Sequence, residues 1–206
     1  MSYYILHIFN PFTQIKNMKY KGIVILFSLI ALMSLASFTL PSFATQNSTE
    51  SEVAREPEKQ VELYKDNWFD FVNEYWEKYS TTAKVIDVAT GKSYIVQRVG
   101  GYNHADVEPI DSTNTAIMHS IYGEWQWTRR PVWVKIKDRY IAASINGMPH
   151  AYDYIPNNDM TGHTCIHFYK SRTHGTNNWD PDHRMAVEKA FESIDAFHEY
   201  IKTHKS

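Results

Sequence analysis

A run of nineteen uncharged residues, 22–40, divides this 206-residue chain and limits how much of it can fold as a globular domain. Two lysines precede the run, and the small residues Ser42 and Ala44 follow it. This order of basic head, apolar segment and small residues is typical of a secretory signal that is cleaved after Ala44. We therefore predict that residues 1–44 are a signal peptide.

The rest of the N-terminal region bears on the same prediction. A start of translation at Met18 gives the short basic head that secretory signals usually have. An uncleaved segment of this length would nearly span a bilayer and anchor the chain. The polar residues 45–60 are predicted to be a linker, and residues 61–206 a single globular domain. In either case we expect the domain to lie outside the cytoplasm.

Charge and cysteine content exclude two classes of protein. The formal charge of −2, without dense lysine and arginine clusters, argues against nucleic acid as a partner. The single cysteine, Cys165, excludes a disulfide within the chain. Cys165 is therefore an inert buried thiol, an intermolecular bridge or a reactive group.

Hydrophobic periodicity predicts helices at both ends of the domain and strands between them. Apolar residues recur every three or four positions over 61–79 and again from Asp180-Pro181 to the C-terminus. Asp111-Ser112 is predicted to cap a short helix that ends at Gly123. Strands are predicted in a hairpin over 84–99, in "PVWVKI" and "RYIAASI", and in "HTCIHFY". The fold class is therefore α+β, a mostly antiparallel β core with flanking N- and C-terminal helices.

The only cysteine lies among histidines in "GHTCIHF", residues 162–168. Alternate side chains of a strand share a face, so His163, Cys165 and His167 are predicted to point the same way. A free thiol has a pKa of about 8.5 and needs a neighbouring base to become a nucleophile at neutral pH. We predict acyl transfer through a thioester formed at Cys165.

Several groups are candidates for activating the thiol. His150 lies on a Gly-Met-Pro-His loop upstream, whereas His163 and His167 flank Cys165 on the strand. The group that orients the base is predicted to be a backbone carbonyl or Asp106. Both choices stay open at this point.

Four more residues are predicted to contact substrate. Arg172 is suited to binding a carboxylate with two hydrogen bonds, and the backbone N–H groups beside Thr164 are suited to stabilising an oxyanion. His104 lies in a loop where it can orient a substrate, and His174 follows the strand closely.

Two other kinds of site use the same region. Zinc prefers nitrogen and sulfur ligands, which His163, Cys165, His167 and His150 can supply. A zinc-dependent reaction is thus the alternative to one that needs no cofactor. A non-catalytic binding module is the third hypothesis, because aromatic residues can form a platform for glycan or peptide, namely Trp125, Trp127 and Trp133.

The stretch "MPHAYDYIPNNDMTGHTCIHF" resembles the active-site region of the L,D-transpeptidases, exported bacterial enzymes in which an upstream histidine precedes a His-Gly-Cys sequence. The resemblance covers roughly 20 residues. A wider likeness, over about residues 84–190, links the chain to exported domains of Gram-positive bacteria that carry "NGMPH", "GHxCIHF" and "THG…DPxH".

The resemblance implies roles for three residues. Cys165 is the nucleophile, His150 the general base, and His163 the motif histidine that supports the site. It also implies a β-rich domain, a cell-envelope or secreted location, and transfer between peptidoglycan stem peptides. The alternatives then become a zinc-dependent peptidase or amidase of the same wall, or a module that binds it. Membrane contact is expected only through an uncleaved N-terminal segment.

Overall fold

A computed structural model describes residues 60–204 as a closed antiparallel sheet with helices on its outside. The predicted signal peptide and nearly all of the predicted linker lie outside the described residues. Among residues 60–204, no helix combines the length and the apolar character needed to cross a membrane.

Six strands make the closed sheet. They follow the order β6-β5-β2-β3-β4-β7, and β7 pairs back with β6, so these strands leave no free edge between them. All six pair antiparallel with their neighbours. Their bounds are β2 Thr82–Asp87, β3 Ser93–Gly100, β4 Ala105–Pro109, β5 Arg129–Ile136, β6 Arg139–Asn146 and β7 Thr164–His167.

All five predicted strands are present, and β4 is the strand of the closed sheet that was not predicted. β2 and β3 form the predicted hairpin, and β5 and β6 meet at the tight turn of Lys137 and Asp138. The α+β class with a mostly antiparallel β core is therefore confirmed.

The predicted N-terminal helix is mostly wrong. Over 61–79 the structure has a two-residue strand β1, Leu63–Tyr64, a π-helical turn, Trp68–Val72, and a three-residue helix α1, Asn73–Tyr75. β1 adds to the sheet parallel to β6, which requires an extended backbone. Tertiary pairing therefore overrides the helical spacing of the apolar residues.

The other helices follow their predicted signals. α2, Ser112–Tyr122, begins where the Asp111 side chain accepts from the N–H of Asn114, and it ends at Gly123, whose φ of 78° suits glycine. α3, Pro181–Glu192, begins where Asp180 accepts from the N–H groups of Asp182 and His183. The apolar stripe continues in a separate helix α4, Ile194–Thr203, after a break at Ser193.

Two apolar clusters stabilise this arrangement. The inside of the closed sheet is filled by side chains such as Val85, Val107, Ile166 and Phe168, all of them buried. A second cluster lies outside β5 and β6, where Trp133 packs under α3 and α4. The outer face of β4 and β7, in contrast, carries polar side chains.

Candidate active site

The register of β4 and β7 builds the candidate site. Asp106 pairs with Cys165, and the neighbouring residues Val107 and Ile166 point into the apolar core. Period-two alternation therefore places Asp106 and Cys165 together on the outer face. The predicted same-face grouping of Cys165 with the strand histidines agrees with this geometry.

His150 is held beside His163 by a short backbone bridge. Each N–H donates to the other residue's carbonyl at 2.9 Å. Gly162 makes this approach possible, because it has a φ of +94° and an added Cβ would lie 2.7 Å from the His150 carbonyl oxygen. The glycine next to the motif histidine thus positions the upstream loop against β7.

The thiol and the His150 imidazole are in contact. Cys165 Sγ lies 3.4 Å from His150 Nε2, while His150 Nδ1 lies 2.8 Å from the Met148 carbonyl. Since the carbonyl can only accept, Nδ1 carries the proton and Nε2 of the neutral ring presents its lone pair to the thiol. Burial lowers the pKa of His150, which favours this neutral form. The backbone carbonyl of Met148 thus orients the His150 ring.

The sulfur is covered and protonated in this conformation. Cys165 is 4% exposed, and burial together with the Asp106 carboxylate raises the pKa of its thiol. Asp106 Oδ1 lies 3.9 Å from Sγ. The site therefore holds a protonated thiol beside a neutral imidazole, and not a thiolate.

Asp106 is surrounded by three imidazoles. Its Oδ1 lies 3.1 Å from His174 Nε2, 3.3 Å from His104 Nε2 and 3.8 Å from His163 Nε2. Burial opposes ionisation of this carboxyl, but the three histidines lower the pKa of Asp106 below its ordinary value. Asp106 is therefore a buried carboxylate at neutral pH.

The two ring nitrogens of His163 have different surroundings. Nδ1 lies 3.0 Å from the Tyr152 carbonyl and donates to it, whereas the buried Nε2 has no hydrogen-bond partner in the described part of the chain. An unpaired buried acceptor costs free energy of about 1–3 kcal/mol. This nitrogen points toward the Asp106 carboxylate.

His167 lies in a stack of rings and does not contact the thiol. Its ring is 4.3 Å from that of His104 and 3.7 Å from that of His183, and both pairs are nearly parallel. Burial, with His183 as the second cause, lowers the pKa of His167 well below its ordinary value. His183 Nδ1 contacts the Ser144 hydroxyl at 2.8 Å, and burial lowers the pKa of His183 to about 3.

The residues predicted to contact substrate have different surroundings. Thr164 is fully buried on the core face of β7, where its hydroxyl has no hydrogen-bond partner among residues 60–204. The Arg172 guanidinium lies over the Phe69 ring at 5.7 Å. The Arg172 carbonyl, however, accepts from His104 Nδ1 at 2.6 Å and so orients that ring.

Glu108 is a residue that sequence reasoning missed. Its carboxylate accepts from the N–H groups of Tyr154 and Ile155 at 2.9 and 2.8 Å. These bonds tie the loop after β6 to β4 and so hold His150 in place. Glu108 is buried and lies two positions beyond Asp106 on the same strand face. This spacing is the feature of the sequence that could have indicated it.

The three tryptophans do not form one platform. Trp133 is buried under α3 and α4, and Trp125 is partly buried against the inner cluster. Trp127 is 47% exposed, and its ring lies 4.9 Å from that of His150. Trp127 also lines a surface groove of about 480 Å³ with Arg129, Met185 and Lys189.

Two overlapping groups have the spacing of metal ligands. One contains His104, Asp106, Cys165 and His174; the other contains His150, His163 and Cys165, and the ligand atoms within each lie within 4.8 Å of one another. His167 belongs to neither group. Cys165 belongs to both.

Comparisons with protein families, with curated proteins and with solved structures find no match to this chain.

Proposed function

We propose that this protein is a cysteine-dependent acyltransferase that acts on peptidoglycan stem peptides outside the cytoplasm. The supporting observation is the 3.4 Å contact between Cys165 Sγ and His150 Nε2, with His150 Nδ1 committed to the Met148 carbonyl. The choice of substrate rests on the resemblance of the segment around these two residues to L,D-transpeptidases and on the export-type N-terminus.

The reaction follows from the protonation states of the pair. His150 Nε2 takes the thiol proton as Sγ attacks the carbonyl carbon of the donor peptide. The C–N bond breaks, a thioester forms, and the leaving amine receives the proton from His150. An amine of a second stem then attacks the thioester, and the thiol is restored.

Access to the thiol sets a condition on this mechanism. Cys165 is buried, and the most exposed side chain of the ring around Asp106 is His174, at 54%. Its Nε2 contacts both Asp106 Oδ1 and His104 Nε2. The mechanism therefore requires a movement of side chains around Cys165 that lets substrate reach Sγ, and the exposed segment that carries His174 is the candidate for that movement.

Covalent labelling tests the proposal. We expect a carbapenem or iodoacetamide to add one adduct to the intact chain, seen by mass spectrometry, and Cys165→Ala to abolish it. His150→Gln should slow acylation by about 100-fold or more, because the general base is lost. His119→Gln, an exposed histidine on α2, is the matched control. A Cys165 that resists both reagents would refute the nucleophile.

The pH dependence provides a second test. The pKa of His150 is lowered, and the ring can act as a base only above that pKa. As pH increases, the acylation rate should therefore rise and already reach its plateau before about pH 6.5. A rate that keeps rising toward pH 8.5 would instead indicate a thiol that ionises without help from His150.

A zinc-dependent peptidase or amidase is the second candidate. The observation that favours it is the group of His150, His163 and Cys165, which supplies three ligands and leaves a fourth position for water. Hydrolysis of wall peptide that stops with a chelator and returns with zinc would support this candidate. Activity that persists in metal-free protein would exclude it.

A further inference from the structure

Three hydrogen-bond acceptors meet beside the thiol. The distance from His104 Nε2 to His174 Nε2 is 2.9 Å, and each nitrogen is within 3.3 Å of Asp106 Oδ1. Because His104 Nδ1 donates to the Arg172 carbonyl, its Nε2 is the ring nitrogen that faces His174 and Asp106. The three atoms thus form a compact triangle of nitrogen and oxygen.

Protons satisfy this triangle only in part. One proton shared among the three atoms leaves at least one pair of acceptors facing each other. A proton on each Nε2 gives Asp106 Oδ1 two donors but also places two N–H groups 2.9 Å apart. A single cation at the centre binds all three lone pairs at once, and buried polar groups require such compensation.

Cys165 completes the coordination. Its Sγ is 3.9 Å from Asp106 Oδ1, and all four ligand atoms lie within 4.8 Å of one another. Tetrahedral zinc with bonds of about 2.0–2.3 Å places its ligand atoms about 3.3–3.6 Å apart, so only small shifts are required. Two imidazoles, one carboxylate and one thiolate are a donor set that suits zinc.

His163 is an independent indication of a ligand at this place. Its buried Nε2 has no hydrogen-bond partner among the described residues and lies 3.8 Å from Asp106 Oδ1. A buried ring nitrogen that faces a carboxylate from beyond hydrogen-bond distance is left unsatisfied, which is unfavourable. A positive ion next to Asp106 removes that conflict.

We propose that a zinc-class divalent cation binds to His104, Asp106, His174 and the Cys165 thiolate, and that this binding switches off the thiol chemistry. This inference rests on the proposed acyl transfer at Cys165. Cation binding replaces the thiol proton, which His150 accepts and releases to solvent. Four protein ligands leave no open position for water, so this form is closed to hydrolysis as well.

The cation also closes the route to the sulfur. His174 is the exposed ligand and lies in the segment between β7 and α3. Its coordination ties this segment to Asp106 and Cys165, and so opposes the movement that substrate entry requires. Removing the cation frees both the thiol and the cover.

Metal content and thiol reactivity, measured on the same samples of the full chain, test the inference. We expect metal-free protein to take up one zinc per chain and its iodoacetamide labelling to slow by at least about tenfold, because the thiolate becomes a ligand. With Co²⁺ as the probe, a thiolate-to-cobalt absorption band should appear and be absent from Cys165→Ala.

Variants separate this site from the catalytic pair. His174→Ala and Asp106→Asn should weaken zinc by roughly 100-fold or more, and the ratio of labelling rates without and with zinc should fall to one. His119→Ala should keep the wild-type ratio. Absence of zinc uptake, zinc uptake without slower labelling, or zinc-stimulated peptide hydrolysis would overturn the inference.

The inference and the proposed function fail in different ways. Metal-free protein that forms no adduct at Cys165 refutes the acyl transfer and the switch with it. The cobalt spectrum still decides in that case whether the four-ligand site exists. Adduct formation with no effect of zinc refutes the switch alone.

Discussion

Arg98 on β3 and Asp106 on β4 are buried charges on neighbouring strands, and their surroundings differ. All five Arg98 N–H donors reach acceptors at 2.6–3.0 Å, four of them backbone carbonyls. Its guanidinium also lies 4.6 Å from the Trp68 ring centre. Burial lowers the pKa of Arg98 to about 10, so the group stays charged at neutral pH.

Asp106, in contrast, has neighbours that compete. Three imidazole nitrogens and a thiol all lie within 3.9 Å of one of its oxygens, and they compete for that oxygen and for the same protons. A fully satisfied buried charge rigidifies a fold, whereas a partly satisfied cluster is suited to changing its protons or ligands. The comparison indicates that Arg98 serves the fold and Asp106 serves the site.

Replacing Arg98 should have the largest effect on stability. Arg98→Met leaves buried carbonyls of Asn73 and Trp76 without donors, and we expect it to lower the free energy of unfolding by about 3–5 kcal/mol. Urea denaturation of the variant and of wild type measures the loss. Arg184→Met, on the exposed face of α3, should stay within about 0.5 kcal/mol.

The substitution Asp106→Asn tests the same contrast between Arg98 and Asp106. In metal-free protein it should cost about 1 kcal/mol or less, because the amide keeps the shape of the side chain and can still hydrogen-bond to the neighbouring imidazoles, so only the attraction to the charge is lost. A loss as large as that of Arg98→Met would show that Asp106 is a structural charge and would remove the distinction.

As pH falls, we expect the protein to lose stability first through the stacked rings of His183 and His167, and only at lower pH through protonation of Asp106. The pKa of His183 is about 3 in the folded state, below the ordinary value of about 6.5. The unfolded chain therefore binds a proton first as pH falls, and the stability that neutral His183 provides is lost below about pH 6.5. His167, whose pKa is also lowered, acts in the same direction.

We expect His183 to account for about 2 kcal/mol of the stability lost between pH 7 and pH 5. His183→Asn should flatten the fall in unfolding free energy over this interval, and His119→Asn should leave it unchanged. An acid limb that is equally steep in His183→Asn would show that this ring does not titrate as its burial requires.

Local patterns in the sequence predicted the parts of the site that lie on one strand. Alternation alone grouped His163 with Cys165, and the caps Asp111 and Gly123 predicted α2 to within a residue. The predicted helix over 61–79 failed because the pairing of β1 with β6 depends on residues far along the chain. Only the short helical turns over 68–75 keep the predicted spacing, and there Trp68, Val72 and Trp76 are buried in the core.

The other half of the site depends on the register between strands, which no local pattern encodes. The pairing of Asp106 with Cys165 brings together two residues that are 59 positions apart in the sequence. The same register places the His104 ring against the His167 ring. The roles of the Met148 and Arg172 carbonyls are likewise invisible in the sequence, because every residue has a carbonyl. Only the fold shows which ones face an imidazole.

Replacing Thr164 should have the smallest effect on stability, and it tests whether the core face of β7 can be changed without affecting its outer face. Its hydroxyl is buried on the core face without a partner, so Thr164→Val should raise the free energy of unfolding by about 0.5–1 kcal/mol. Valine has nearly the same shape and also suits a strand. Urea denaturation measures the gain, and acyl transfer measures the effect on the outer face. If the Thr164 hydroxyl contacts substrate, the same variant loses transfer activity; if only the backbone N–H groups beside it do so, stability rises and activity is kept.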